Sequence, residues 1–255
     1  MSGHSKWSTI KRQKGIADIK RGQSFTKVAK GITLAVKLGG SGDPGTNPRL
    51  RLALEQAKSV NMPKDNIERA IEKGLGKGKE AFEEVIYEGF GPGRVAFYVE
   101  GATDNKLRTN QEIKNIFERS GGGLGGSGSV AYMFDKRGEL KVKGKGDNFE
   151  DEMLELIDLG AADVEDYQDE GTQKYLVYSQ GPELNTMGNK VTQSGFIVES
   201  QDLIMKPNIN QQITDLETAK KVLDFAEKLE DHDDIQKVFA NFDIPDNLLE
   251  GKQGS

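Results

Sequence analysis

Apolar side chains in the first third of the chain recur at the spacing of helices. The first stripe comprises Phe25, Val28, Ala29, Ile32, Ala35 and Val36. Its i, i+3, i+4 spacing predicts an amphipathic helix, which Gly39-Gly40 ends. A second stripe at 50–57 follows Asn47-Pro48, a capping residue and a proline suited to the first helical position. Pro63 predicts the start of a third helix, which Gly74 ends.

After a connector at 74–80, rich in glycine and lysine, strand and helix signals alternate. Predicted strands lie at 85–87, 95–99, 130–134, 140–142, 162–167, 173–178, 196–200 and 235–239, and the run to about 205 continues into another strand. Predicted helices cover 105–119, 148–158, 183–194 and 214–229. This order is typical of two split β-α-β units, an arrangement also called ferredoxin-like. We therefore predict the α+β class.

The change of pattern divides the chain into domains. We predict a multidomain protein in which residues 1–79 form an all-α, basic helical domain. Residues 80–142 and 206–245 together form a discontinuous α+β domain. Residues 143–205 form a second α+β domain inserted in the first, and residues 246–255 form a flexible tail.

Composition excludes several classes of protein. Hydrophobic residues make up 35% of the chain and charged residues 30%, and the mean hydropathy is −0.62. No stretch approaches the roughly 20 apolar residues that cross a bilayer, and no apolar run follows the N-terminus. We expect a cytoplasmic protein without a secretory signal or a membrane partner, with a processed organelle protein as the alternative. The absence of cysteine excludes disulfides, thiolate metal sites and thiol nucleophiles.

Charge is segregated along the chain, although the net charge of −6 alone would argue against a nucleic-acid partner. Residues 1–79 carry 17 lysines and arginines against 6 acidic residues, a balance of +11. Residues 80–255 carry 18 against 35, a balance of −17. Such asymmetry favours a basic domain that meets a polyanion and is carried on an acidic body. The alternative is a small helical domain with many surface lysines.

Few residues are suited to catalysis or to metal binding. The two histidines are His4, in a polar N-terminus, and His232, inside the acidic run 230–234. A metal site at His232 is less well supported than a solvated charge run, because consecutive side chains point in different directions. The acidic cluster at 163–170 lacks the alternating ligands and central glycine of a calcium loop. We predict no catalytic residue, no metal and no enzyme activity.

Three glycine-rich segments, 39–45, 74–78 and 121–128, are candidates for phosphate binding through backbone N–H groups. None of them has the P-loop pattern or the dinucleotide fingerprint, and the third runs from a helix into a strand. We interpret them as linkers and tight connections. Accordingly, we predict no cofactor and no small-molecule substrate.

Lysine and arginine at the start of the chain provide the candidate binding surface. Eight of these cations fall within 25 residues and are countered only by Asp18. The candidate nucleic-acid contacts are Lys6, Trp7, Lys11, Arg12, Lys14, Lys20, Arg21, Lys27, Lys30, Arg49, Arg51 and Lys64. Trp7 suits either base stacking or anchoring of the N-terminus, whereas Phe25 is better explained as a core residue. We expect backbone-dominated binding of duplex DNA or structured RNA.

Several motifs resemble the YebC/PmpR family over nearly the whole chain. They are Gly3-His4-Ser5-Lys6-Trp7, Arg21-Gly22, Phe25-Thr26-Lys27, Asp43-Pro44-Gly45, Asn47-Pro48-Arg49-Leu50-Arg51, Asn61-Met62-Pro63-Lys64-Asp65-Asn66-Ile67, Tyr87-Glu88-Gly89-Phe90-Gly91-Pro92-Gly93, Thr103-Asp104-Asn105, Gly126-Ser127-Gly128-Ser129-Val130-Ala131-Tyr132-Met133-Phe134 and Asn241-Phe242-Asp243-Ile244-Pro245. The segment 143–205 matches only loosely. The resemblance implies three domains and a cytoplasmic, DNA-binding transcriptional regulator.

Mitochondrial relatives within this resemblance are similar to translational activators, which implies ribosome or RNA binding instead. The sequence shows no clear helix-turn-helix recognition helix and no dimer-forming coiled coil, and both features favour this alternative. A third hypothesis is a protein-interaction scaffold whose acidic part binds a basic partner. That scaffold would retain its activity without residues 1–79.

Overall fold

The computed structural model describes residues 20–77, 82–146, 148–169, 171–245 and 248, with side chains from residue 25 onward. Within this part the helices are α1 (Lys20–Gly39), α2 (Pro48–Ser59), α3 (Lys64–Glu72), α4 (Lys106–Arg119), α5 (Phe149–Asp158), α6 (Leu184–Gln193) and α7 (Leu216–Asp231). The strands are β1 (Glu83–Phe90), β2 (Ala96–Thr103), β3 (Gly123–Leu124), β4 (Phe134–Lys143), β5 (Asp163–Asp169), β6 (Thr172–Gln180), β7 (Ile197–Pro207), β8 (Gln211–Gln212), β9 (Ile235–Ala240) and β10 (Phe242–Asp243). The predicted α+β class is confirmed.

The described residues form two compact units. Among the described residues, the larger unit draws on 20–132 and 211–245, and the smaller unit on Met133–Asn210. In the larger unit, β3-β1-β2-β9 form an antiparallel sheet in that order, and β8 pairs with β10. No helix in the described part is long and apolar enough to cross a membrane.

Three helices of the larger unit pack on one another through the predicted apolar stripes. Their shared core contains Val28, Ile32, Ala35, Val36, Leu50, Ala57, Met62 and Ala70, and Phe25 packs against it. Asn47 joins two of the helices, because its side chain accepts from the Leu50 N–H at the start of α2 and donates to the Ala35 carbonyl of α1. The cap that the sequence predicts therefore also fixes where α1 ends.

Aromatic side chains fill the space between the sheet of the larger unit and its helices. Phe225 of α7 meets Phe97 of β2 edge to face at 4.7 Å between ring centroids, and Phe117 of α4 at 4.9 Å. All three rings are buried. This packing fixes α4 and α7 on the sheet, and thereby the residues at their ends.

The smaller unit is an antiparallel sheet in the order β5-β6-β4-β7, with α5 between β4 and β5 and α6 between β6 and β7. Much of the acidic cluster at 163–170 is paired with lysine. Lys206 lies 2.6 Å from Asp163 and 3.0 Å from Glu165, and Lys174 lies 2.9 Å from Asp169. Neighbouring strands therefore supply the countercharges that a linear reading of the cluster misses.

The structure differs from the sequence prediction around β4. The predicted strand at 130–134 is largely a short 3-10 turn at Ala131–Met133, and β4 begins at Phe134. β4 pairs with β6 and β7, whereas the sequence analysis assigned 134–142 to the first α+β domain. Gly138 lies in the middle of β4. A Cβ there would lie 2.5 Å from Ser179 Oγ, so glycine permits a close approach.

Candidate nucleic-acid interface

Lys27 and Lys30 of α1 face the rest of the larger unit, and the exposed Lys37 also reaches a carbonyl group there. Lys27 donates to the Glu230 carbonyl, Lys30 to the Asp233 carbonyl at 3.1 Å, and Lys37 to the Phe82 carbonyl at 2.9 Å. The sequence analysis treated Lys27 and Lys30 as available to a nucleic acid, but both ammonium groups are bound within the larger unit. Lysine allows both patterns, because its apolar stem can be buried while the ammonium reaches a polar partner.

Asp234, immediately before β9, is the centre of a buried polar network. Its carboxylate lies 2.6 Å from Lys30 Nζ, 2.7 Å from Arg108 Nη2 and 2.7 Å from Thr109 Oγ1. The Asp234 side chain is only 3% exposed. Burial alone would raise the pKa of this carboxyl group, but these donors outweigh burial and hold the pKa below its usual value. Asp234 thus connects α1 to α4 within the larger unit.

His232, Glu112 and Asp234 lie close enough together to suggest a metal site, with their ligand atoms within 4.8 Å of one another. Their lone pairs are largely occupied. His232 Nδ1 accepts from the Asp234 N–H, and its Nε2 lies 3.0 Å from Glu112 Oε2. Because Asp234 already accepts from two cations, a metal ion would have to displace them. The arrangement suits an ion-pair network better than a metal.

The remaining candidate contacts that the structure describes are exposed or partly exposed. The Arg51 guanidinium donates to the Pro44 carbonyl at 3.1 Å and so stabilises the loop before α2. Arg49 lies 3.7 Å from Glu84, and Lys64, 86% exposed, lies 3.5 Å from Glu68. Such exposed pairs are weak and would yield readily to a phosphate.

The other candidates have no described side chains. Lys6, Trp7, Lys11, Arg12 and Lys14 lie outside the described residues. Lys20 and Arg21 lie in the first turn of α1, and only their backbone is described.

A cleft of about 1120 Å³ opens within the larger unit beside the Asp234 network. The exposed cations Arg69, Lys73 and Arg119 line it, together with the amides of Asn66 and Asn115. The sequence analysis named none of these residues as a candidate contact. Arg69 and Lys73 are four residues apart at the end of α3, a spacing that places two side chains on one face of a helix. Nothing in the sequence brings Arg119 of α4 to the same cleft.

Comparison with known proteins identifies the family. A model described as the TACO1/YebC protein N-terminal domain matches residues 5–77, and one for the TACO1/YebC second and third domain matches residues 82–242. The chain belongs to the TACO1/YebC family. The resemblance to YebC proteins is thereby confirmed.

Members of the TACO1/YebC family from distant bacteria match over almost their full length. A probable transcriptional regulatory protein of Syntrophomonas wolfei is 44% identical over 98% of this chain and 99% of its own. One of Fusobacterium nucleatum is 47% identical over the same shares. The crystal structure of a conserved hypothetical protein of Aquifex aeolicus superposes with a TM-score of 0.80 at 43% identity, covering 89% of this chain and 92% of that one.

Proposed function

We propose that this chain is a nucleic-acid-binding regulator of gene expression. Its contact with the phosphate backbone is made through the basic N-terminal helices. The observation that carries the proposal is charge segregation, with +11 over residues 1–79 and −17 over the remainder. The relatives' names, probable transcriptional regulatory proteins, agree with a regulator. Duplex DNA as the ligand and the cytoplasm as the setting are part of the proposal.

The structure narrows the proposed contact set. Lys30 is left out, because its ammonium is engaged by Asp234 and its side chain is only 15% exposed. Lys27 is left out as well, because it donates to the Glu230 carbonyl. The proposed contacts are Lys6, Trp7, Lys11, Arg12, Lys14, Lys20, Arg21, Arg49, Arg51 and Lys64. These residues give phosphate contacts with little sequence information.

A second candidate, an RNA- or ribosome-associated translation factor, is favoured by the surface of α3. α2 and α3 are joined by residues 60–63, a length that suits a helix-turn-helix. A recognition helix in the position of α3 would place its side chains in the major groove. Its exposed side chains include the carboxylates of Asp65, Glu68 and Glu72, which a groove lined with phosphates would repel.

Charge reversal tests the proposal directly. The triple variant K11E/R12E/K14E should weaken binding of both duplex DNA and structured RNA and flatten its salt dependence. Fluorescence anisotropy across a salt series measures both quantities. The matched control K136E/K143E/K220E changes the net charge equally at exposed lysines of other regions. Equal affinity for the triple variant and the unmodified protein would contradict the proposed surface.

A sedimentation profile of cell lysate separates the two candidates. A ribosome-associated factor co-sediments with ribosomes and is released by high salt, because its contacts are electrostatic. A transcriptional regulator stays away from the ribosomal fractions and prefers its promoter duplex to random DNA at physiological salt.

We also propose a helical domain at 1–79, followed by a discontinuous α+β domain that carries a second α+β domain as an insertion. Because β4 pairs with β6 and β7, the proposed insertion begins near residue 133 and not at 143, and it ends near residue 210. The boundary between the two matched family regions, after residue 77 and before residue 82, supports the first division. Limited proteolysis should cleave first in the glycine-rich connector at 74–80. Initial cleavage inside α1 or β2 would contradict a domain boundary at this connector.

A further inference from the structure

The cleft beside Asp234 lies entirely within the larger unit. Residues of α1 and α3 line it, and so do residues of α4 and the segment that follows α7. Its volume of about 1120 Å³ is slightly above the roughly 300–1,000 Å³ that small-molecule sites occupy. The cleft is therefore large enough for one nucleotide.

The exposed charges that line the cleft favour an anion on its α3–α4 side. The guanidinium groups of Arg69 and Arg119 form no hydrogen bond or ion pair with the described residues, and Lys73 adds a third exposed cation. Asp231 and Asp233 also line the cleft, at the end of α7 and just beyond it, and would repel a phosphate placed next to them. A phosphate is therefore favoured beside the arginines.

The acidic groups deeper in the network are already compensated. Asp234 pairs with Lys30 and Arg108, and Glu112 lies beside His232 and 3.9 Å from Arg108. Arg108 also binds Asp104 at 3.0 Å. Because these carboxylates are paired with cations or hydrogen-bonded, they oppose an incoming anion less than their number suggests.

Apolar and amide groups complete the lining. Phe25, Met62, Phe82 and Ile116 offer apolar surface, and the side-chain amides of Asn66 and Asn115 offer donors and acceptors. A flat heterocycle with a polar edge suits such a surface, because apolar contacts cover its face while amides bind its edge.

We propose that this cleft binds one nucleotide, with the phosphate at Arg69, Lys73 and Arg119 and the base against the apolar side chains. The inference rests on the proposed nucleic-acid function and adds an unstacked nucleotide to it. A base inside a duplex cannot enter the cleft, so the site selects single strands, loops or bulges. A free nucleoside monophosphate carries the same phosphate and base, and the experiment distinguishes it from a nucleotide within a strand.

The test compares R69A/R119A with the control K106A/K114A in the full-length protein. Both pairs remove two exposed cations, but Lys106 and Lys114 of α4 do not line the cleft. Fluorescence anisotropy measures binding of a labelled single-stranded RNA of about 12 nucleotides and of a hairpin duplex, and calorimetry measures binding of AMP and CMP. R69A/R119A should lose about tenfold in affinity for the single strand and little for the hairpin, while the control stays near the unmodified protein.

A second variant addresses the cleft without changing charge. N115W narrows it from the α4 side, and the same selective loss is expected once circular dichroism shows an unaltered fold. The inference would be overturned by unchanged binding of the single strand and of AMP and CMP in both variants, or by an equal loss on single strand and hairpin. AMP or CMP binding that R69A/R119A abolishes, without any effect on the strand, would assign the cleft to free nucleotides. If the unmodified protein binds neither nucleic acid, the proposed function fails first.

Discussion

Each unit of the protein buries a carboxylate, and the two are in opposite electrostatic situations. Asp234 in the larger unit is 2% exposed and Glu139 in the smaller unit is 7% exposed. Asp234 accepts from Lys30, Arg108 and Thr109. The Glu139 carboxylate accepts no hydrogen bond from any described residue. Both side chains are shielded from solvent, and their partners differ.

The pKa values of the two groups move in opposite directions. Burial would raise the pKa of Asp234, but its donors outweigh burial and lower it. Burial raises the pKa of Glu139 to about 7. Lys141 opposes this shift, whereas Asp202 and Glu165 add to it. Asp202 lies directly across from Glu139 in the β4–β7 register, a like-charge pair that favours one bound proton.

An ionised buried carboxylate therefore stabilises the folded state only where hydrogen-bond donors and cations surround it. Asp234 contributes stability that is fully present above an ordinary aspartate pKa of about 3.9 and is lost as pH falls below it. Glu139 contributes stability in its protonated form, present below about pH 4.3 and lost as pH rises through about 7. The pH dependence of each unit should therefore have the opposite sign.

Removal of Asp234 should produce the largest effect. D234A leaves Lys30 and Arg108 without their buried partner, so we expect a loss of about 3–5 kcal/mol in the free energy of unfolding. Urea unfolding followed by circular dichroism measures it. The control D233A removes the exposed neighbouring carboxylate and should cost less than about 0.5 kcal/mol. Equal stabilities of the two variants would show that the Asp234 network does not stabilise the connection between α1 and α4.

Neutralisation of Glu139 should have a smaller effect of opposite sign. E139Q removes the cost of an ionised buried carboxylate, so it should stabilise the protein by up to about 3 kcal/mol near pH 8. Near pH 4.5 the difference should largely disappear, because the unmodified side chain is then protonated in the folded state. Unfolding curves at both pH values give the comparison. A destabilised E139Q at pH 8 would mean that the ionised group has a partner that this structure does not provide.

Much of the fold follows from local patterns in the sequence. The predicted helix at 105–119 is α4 at Lys106–Arg119, and the one at 148–158 is α5 at Phe149–Asp158. Periodicity is strong over such lengths, because every turn places an apolar side chain on one face. The segment 130–134 has an apolar composition but forms a turn, and tertiary contacts decide this. Glu88 accepts from the Val130 and Ala131 N–H groups and so holds their backbone outside a sheet.

The candidate site was much harder to predict. Helical periodicity showed which side of α1 carries lysines, yet not what that side meets, because Asp234 is 204 positions from Lys30. The acidic run at 230–234 resembled a solvated surface. One signal was available: Asp234 directly precedes the apolar strand β9, where side chains begin to be buried. Its partners on α1 and α4 become apparent only from the tertiary structure.

A third buried carboxylate shows the effect of hydrogen bonds without the effect of a countercharge. Glu88 is 5% exposed and accepts from the backbone N–H groups of Gly128, Val130 and Ala131 at 2.8–2.9 Å. Burial would raise the pKa of Glu88, but these three neutral donors outweigh it and lower the pKa. Glu88 thus resembles Asp234 in its hydrogen bonds but has no lysine or arginine bound to it among the described residues.

E88Q should have the smallest effect of the three changes. The amide replaces one acceptor oxygen with a donor, which then faces a backbone N–H, so we expect a loss of about 1–2 kcal/mol in the free energy of unfolding. Hydrogen exchange of the Gly128, Val130 and Ala131 amides should also accelerate, whereas the exposed control E83Q should leave both measurements unchanged. If E88Q instead costs as much as D234A, neutral donors alone account for the stabilisation. The cations around Asp234 would then help to position its side chain more than they contribute to the free energy of unfolding.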